Sequence, residues 1–366
     1  MALNFRFGIA SDLHIAVPHT IWDSPGRFHL VEVSIPALEK VLAHFETLNL
    51  DFLLLPGDLT QHGEAENHQW LQERLQSLPF PTYVIPGNHD VPYLYAKDKV
   101  IGFADFPSYY RQFGYQDAEK LYYTREILPG VQLIALNSNQ FDREGNQLGC
   151  LDEEQLQWLE QTLFQVREKL VLITIHHNAI EHIPGQSSHE LGRRYMLDNA
   201  ETLLKILHSH GVKLIFSGHL HIQDLAEVNG IYEITTGSLV SYPHPYRIVE
   251  VKTNVCRQQE VKIESYRLES LPGWENLAET SREVMGDRSY PFMLKLLTSP
   301  PLNLPIAQAQ KLAPQLRYFW TEIAAGDAIF DFADFPVAAQ QHLQKFGAIA
   351  LNGTPALIDN RVTLTI

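Results

Sequence analysis

Five short stretches hold the residue types and spacings that could do chemistry. Pro86-Gly87-Asn88-His89-Asp90 follows the apolar run Tyr83-Val84-Ile85. Asn88 offers a neutral carbonyl oxygen, and His89 an imidazole that can carry a proton near neutral pH. Asp90 is placed to orient that imidazole. Asp12-Leu13-His14 sets a carboxylate and an imidazole two residues apart. An extended backbone points both the same way, a good half-site for Mn, Fe or Zn. Gly57-Asp58 puts another carboxylate just past an apolar run, and His176-His177-Asn178 ends a further one. Gly218-His219-Leu220-His221 repeats the alternate-residue spacing. Each stretch alone reads equally well as an ordinary turn or cap, where Asp, Asn and Gly are common. Three such arrangements within the first hundred residues are hard to ascribe to chance.

The elements that must position them are short apolar runs alternating with helical periodicity. Strands are expected over 5–10, 51–55, 82–85, 170–175 and 212–216, and helices over 32–48, 64–77, 152–169 and 198–209. Such alternation implies parallel strands whose carboxyl ends lie on one edge, so the polar groups should converge there. Segments 121–124 and 131–136 read as paired strands, and 223–228, 231–236 and 246–251 as consecutive antiparallel strands. The organisation expected is a domain over 1–255 and a mainly helical extension over 256–366. The extension shows helical stretches near 278–288, 306–325 and 335–346 and a final strand at 362–366. Leu312, Leu316, Phe319, Trp320 and Ile323 form an apolar stripe that needs a partner surface. The extension is therefore expected to cap the cleft or to form a homo-oligomer contact.

Composition narrows the function classes. The chain has 366 residues, 45% hydrophobic and 19% charged, enough for a large core. Only Cys150 and Cys256 are present, which gives neither a disulfide framework nor a thiolate site and suits a reducing, cytoplasmic setting. The first residues read as a strand rather than a secretory leader, and no apolar run nears the roughly 20 residues a bilayer requires. A net charge of -15 argues against a nucleic-acid or anionic-membrane surface. It leaves a small anionic substrate open, because bound metal adds local positive charge.

The five motifs, taken in order, resemble the calcineurin-like metallophosphoesterase superfamily, most closely its class III cyclic-nucleotide phosphodiesterase group. Asp12-Leu13-His14, Gly57-Asp58 through Gly63, Gly87-Asn88-His89-Asp90, His176 and Gly218-His219-Leu220-His221 carry the likeness, over about residues 1–255. Asn178 departs from it, since relatives often have proline there, and is expected to affect loop shape more than coordination. The resemblance implies an α/β fold: a four-layer αββα sandwich of two mixed sheets flanked by helices. It implies two divalent or mixed-valence transition-metal ions, Fe, Mn or Zn. Asp12, His14, Asp58 and His221 would hold one; Asp58, Asn88, His176 and His219 the other. His89, oriented by Asp90, would be the proton donor to a small phosphoester. The activity implied is hydrolysis of a small phosphodiester, with 3',5'-cyclic nucleotides among the candidates. A phosphomonoesterase and a non-catalytic scaffold are the alternatives. His19, His62, His177, His182, His189, His244 and the pair Arg193-Arg194 are weaker candidates for the cleft lining.

Overall fold

The computed structural model describes residues 2–22, 27–116, 120–349 and 358–366. The chain runs β1 (Asn4–Ile9), α1 (Ser34–Glu46), β2 (Phe52–Leu55), α2 (Ala65–Gln76), β3 (Thr82–Val84) and the short α3 (Phe106–Tyr109). It continues β4 (Tyr123–Leu128), β5 (Val131–Ala135), β6 (Asn139–Phe141), β7 (Gln147–Gly149), α4 (Glu153–Gln165), β8 (Leu170–Thr174), α5 (Glu190–Arg193), α6 (Ala200–Ser209) and β9 (Leu214–Ser217). Then come β10 (Asp224–Val228), β11 (Ile231–Thr235), β12 (Pro245–Thr253), β13 (Gln259–Arg267), α7 (Leu277–Thr298), α8 (Ile306–Leu312), α9 (Phe319–Ala325), α10 (Val337–Leu343) and β14 (Arg361–Thr365).

Two large mixed sheets form the centre. The first has the order β14-β13-β12-β1-β2-β3, the second β10-β11-β9-β8-β5-β4. Their facing sides share one core, where Phe7 of β1 meets Phe216 of β9 edge-on at 5.4 Å. Leu38, Val41 and Phe45 of α1 cover the outer face of the first sheet. Gly8 is needed there because a Cβ would press into the Phe45 ring. Leu156, Leu159 and Leu163 of α4 and Leu203 and Leu207 of α6 cover the outer face of the second. The result is the four-layer sandwich expected. β1, β2 and β3 run parallel, as do β5, β8, β9 and β11.

The late strands do not form one antiparallel set. β10 and β11 pair antiparallel in the second sheet, but β12 crosses to the first, between β1 and β13. Its first five residues are all buried, as a strand covered on both faces requires. The boundary expected at 255/256 falls in the turn between β12 and β13, so strands from both sides of it share a sheet, with β14 added at the edge. Arg247 of β12, fully buried, ties the chain end down: it donates to the Asp359 carbonyl at 2.5 Å and the Thr235 carbonyl at 3.0 Å.

The tail helices enclose a third apolar cluster containing Met293, Leu296, Leu312, Leu316, Phe319 and Ile323. Leu220 and Ile222 belong to the same cluster. The side chain between His219 and His221 thus packs the Gly218–His221 loop against the tail.

Candidate metal centre

Parallel pairing brings the carboxyl ends of β1, β2 and β3 to the edge where β8 and β9 end. The loops beyond them are joined by backbone hydrogen bonds. Asp12 donates to the Gly57 carbonyl at 3.1 Å, His14 to the Asp58 carbonyl at 3.0 Å, and Gly218 to the His176 carbonyl at 3.3 Å. The His219 amide in turn donates to the Asp12 carboxylate at 3.1 Å. Two glycines make this possible by close approach. A Cβ on Gly87 would overlap the Asp58 amide and carboxylate, and one on Gly218 would overlap Ser11 and Asp12.

Convergence is achieved differently from the extended backbone expected. Asp12, His14, Asp58, His219 and His221 all have positive φ, between 44° and 68°. Non-glycine residues seldom adopt this conformation, and it costs energy wherever it occurs. Each alternate-residue pair is therefore aimed by left-handed turns at the strand end, not by strand alternation.

The side chains meet in two groups that share Asp58. Asp12, His14, Asp58 and His221 offer ligand atoms within 4.8 Å of one another; so do Asp58, His176 and His219. His221 Nε2 lies 3.1 Å from Asp12 Oδ1, and His14 Nε2 lies 3.8 Å from Asp58 Oδ2. His176 Nε2 lies 3.4 Å from Asp58 Oδ2 and 3.2 Å from Asn88 Oδ1. Two donors about 2.0–2.2 Å from one ion are separated by about 2.9–3.6 Å in octahedral or tetrahedral geometry, a range that holds the His221–Asp12, His176–Asp58 and His176–Asn88 spacings, with His14–Asp58 at 3.8 Å slightly wider. The donor set is all nitrogen and oxygen, which excludes a preference for soft metals. The buried Asp12 and Asp58 carboxylates have only histidines as ion-pair partners among the described residues. An uncompensated buried carboxylate pair is costly unless a cation joins it.

Second contacts select the ring atoms that face inward. His176 donates Nδ1–H to the Pro56 carbonyl at 2.8 Å, leaving Nε2 for the centre. Burial disfavours its charged form, but Asp58 outweighs this and raises it to about 9 without metal. His14 goes the other way: burial and the rings of His29 and His89 hold it well below 6.5. His89 donates Nδ1–H to the Gln61 carbonyl at 2.7 Å and its backbone N–H to Asp58 Oδ1 at 2.8 Å. Among the described residues its Nε2 has no hydrogen-bond partner, and the residue lines the cavity beside the centre.

The Calcineurin-like phosphoesterase family model matches residues 5–223, more than half of the chain. The chain belongs to that family. It is 29% identical over 235 residues to a probable glycerophosphodiester phosphodiesterase of Arcobacter nitrofigilis, covering 62% of this chain and 76% of the relative. It is 27% identical over 246 residues to the 3',5'-cyclic adenosine monophosphate phosphodiesterase of Escherichia coli K12, covering 66% and 73%. A probable cyclic nucleotide phosphodiesterase of Moraxella catarrhalis is 29% identical, with coverage of 51% of this chain and 65% of the relative. The fold matches a dimetal phosphatase from Danio rerio with a TM-score of 0.52 at 16% identity, over 72% of this chain and 96% of that one.

In this calcineurin-like chain Asp90 does not orient His89. Its two oxygens accept from the Leu59, Thr60 and Gly87 amides and the Thr60 hydroxyl at 2.8–3.0 Å. Burial and the Asp58 charge push its carboxyl up to about 7, against the pull of those amides. Asp90 braces the Asp58 and Asn88 loops against each other; the orienting group for His89 is the Gln61 carbonyl. A carbonyl leaves no trace in side-chain spelling, so sequence reasoning had nothing to find.

His29 was also missed. Half-buried, its ring stacks on His14 at 4.5 Å and 6°, and it groups with His14 and His221. It sits between Phe28 and Leu30, outside the five motifs, so none of their spacings signals it. His177 faces the same edge: its ring packs 4.3 Å from His219, and Nδ1 bonds the Ser138 hydroxyl at 2.7 Å. Asn178 donates to Ser217 Oγ at 3.2 Å and the Gly218 carbonyl at 3.4 Å, bridging the two ligand loops. Fully buried Glu233 braces the same loops, accepting from the Ala179 and Ile180 amides at 2.9 and 2.6 Å and from Ser217 Oγ at 2.6 Å. Of the weaker candidates, His177, His189, Arg193 and Arg194 line the cavity. His62 stands between Trp22 and Tyr93, 6.3 Å from the His89 ring. His19 pairs with Glu66 at the surface, His182 bonds Asp224 at 2.6 Å, and His244 is buried against the Leu239 carbonyl.

Proposed function

We propose that this protein hydrolyses a small phosphodiester at a dinuclear metal centre. Asp12, His14, Asp58 and His221 would hold one ion, and Asp58, Asn88, His176 and His219 the other, with Fe, Mn or Zn as the metals. The observation that carries this reading is the sharing of Asp58 by two ligand clusters, the arrangement two metals about 3.5–4 Å apart require. Relatives named for cyclic-nucleotide and glycerophosphodiester hydrolysis support a diester over a monoester.

Metals bound there would activate a water as nucleophile and supply positive charge for the phosphoryl oxygens. The chain's own residues do the rest. In the net step one water O–H bond and the ester P–O bond would break and a new P–O bond would form, the water's proton passing to solvent while the departing alkoxide takes another. His89 would donate that proton through Nε2, a reading supported by the Gln61 carbonyl's hold on Nδ1. Asp90, Asn178 and Glu233 keep the ligand loops in place and touch no substrate.

The test is reconstitution with Mn or Fe, metal analysis, and comparison of bis(4-nitrophenyl) phosphate with 4-nitrophenyl phosphate. Two metals per chain and faster diester turnover are expected. Faster monoester turnover would make the protein a phosphomonoesterase, and no metal with no turnover would make it a scaffold.

A further inference from the structure

A single cavity of about 1300 Å³ runs from the metal-ligand edge to the tail helices. Asp58, Asn88, His89, His219 and His221 line one end of its wall. Met285, Phe292, Met293, Leu296, Trp320 and Phe346 line the tail side. Ligand pockets for small molecules measure roughly 300–1,000 Å³, and a phosphate with two short ester arms fills only a fraction of that.

We propose that the tail wall receives a long apolar ester arm, so that the substrate is an amphiphilic phosphodiester such as one bearing an alkyl or acyl chain. The proposal rests on the phosphodiesterase reading above and names the chemistry of one arm. Three features carry it. The tail wall has few groups to hydrogen-bond a sugar or a base edge: its Ser289 hydroxyl is already donated to the Gly286 carbonyl at 2.8 Å, and its other polar side-chain groups are the Trp320 indole N–H, His342 and Lys345. Phe292, Trp320 and Phe346 are only partly covered by the tail's own core, so they present apolar surface to an open space. The wall also begins at the centre itself. Phe28 packs on Phe292 at 5.0 Å, and its neighbour His29 stacks on His14. A diester with phosphorus at the ligand edge would place one arm along that surface. Arg27, Arg193, Arg194 and Lys345 line the same cavity in a chain of net charge -15, which suits an anionic group beside the apolar arm.

The experiment uses the full-length, Mn-loaded protein and methyl, butyl and octyl 4-nitrophenyl phosphate, below their micellar concentrations. A buried methylene contributes up to about fourfold, so with partial burial kcat/KM should rise at least about 30-fold from methyl to octyl. Calorimetry should show octyl methyl phosphate binding at least about 30-fold more tightly than dimethyl phosphate. Phe292→Ala and Trp320→Ala, checked for folding by circular dichroism and for metal content, should lower the octyl-to-methyl ratio about tenfold. Equal rates along the series, or equal affinities, overturn the proposal. Should no diester be turned over at full metal content, the phosphodiesterase reading falls, and the calorimetric pair still decides whether the wall takes an apolar arm.

Discussion

The strand-end edge and the tail wall face the same cavity and are built on opposite principles. At the edge, five proposed ligand residues sit in left-handed backbone, and their loops are joined by amide hydrogen bonds about 3 Å long. At the wall, side chains from α7 and α9 meet through apolar contact. Coordination and proton transfer are directional and fail with displacements below an ångström, so the edge spends backbone strain to aim its groups. Apolar contact is non-directional and scales with area, so regular helices suffice for the wall. Substitutions at the edge should therefore act on rate and metal content, while those at the wall should act on which substrate is used.

The sharpest way to break this contrast is Asp58→Ala. It should abolish turnover and leave at most one metal per chain, because both ligand groups include that carboxylate. Retention of two metals by elemental analysis would refute the shared role. His89→Ala should keep both metals and slow turnover by about 10²–10⁴-fold, the usual size of an acid–base contribution. Metal loss in that variant would turn His89 into a ligand. Glu233→Gln should weaken metal affinity by roughly 10–100-fold through the loops it braces, with substrate preference unchanged. A shift in preference without a metal effect would blur the division between the two regions.

The smallest expected effect lies behind the edge and concerns pH. Buried His68, bonded to the Tyr110 hydroxyl, is held at about 3, and buried His244 at about 4, against an ordinary 6.5. Both are depressed in the folded state, so the unfolded chain binds more protons below 6.5. Their contribution to stability is complete above pH 6.5 and is lost as pH falls to about 4 for His244 and about 3 for His68. Each should steepen the loss by up to about 1.4 kcal/mol per pH unit. Urea midpoints between pH 7 and 5 should fall less steeply for His68→Gln than for the parent chain; parallel slopes would show that His68 is not the group responsible.

Cutting the chain after residue 267 is not a clean test of the wall. It would strip β14 from the first sheet, take Asp359 away from buried Arg247, and uncover Leu220 between two proposed ligands. Side-chain variants on the cavity face separate specificity from folding, which truncation cannot.

Sequence alone determined which residues could ligate metal and that they follow apolar strands. Metal chemistry admits few side chains, and a strand buried on both faces reads as a short apolar run. The four-layer sandwich followed from the same alternation together with the family likeness. Tertiary structure decided how those residues are aimed. The left-handed turns at Asp12, His14, Asp58, His219 and His221, the amides that occupy Asp90 and the Gln61 carbonyl that orients His89 are backbone features with no spelling in side chains. It also decided the placement of His29 on His14, of β12 in the first sheet and of Leu220 under the tail. These contacts join segments from about fifteen to more than a hundred residues apart, or choose between two sheets equally able to bury the same strand. Local periodicity carries no information about either.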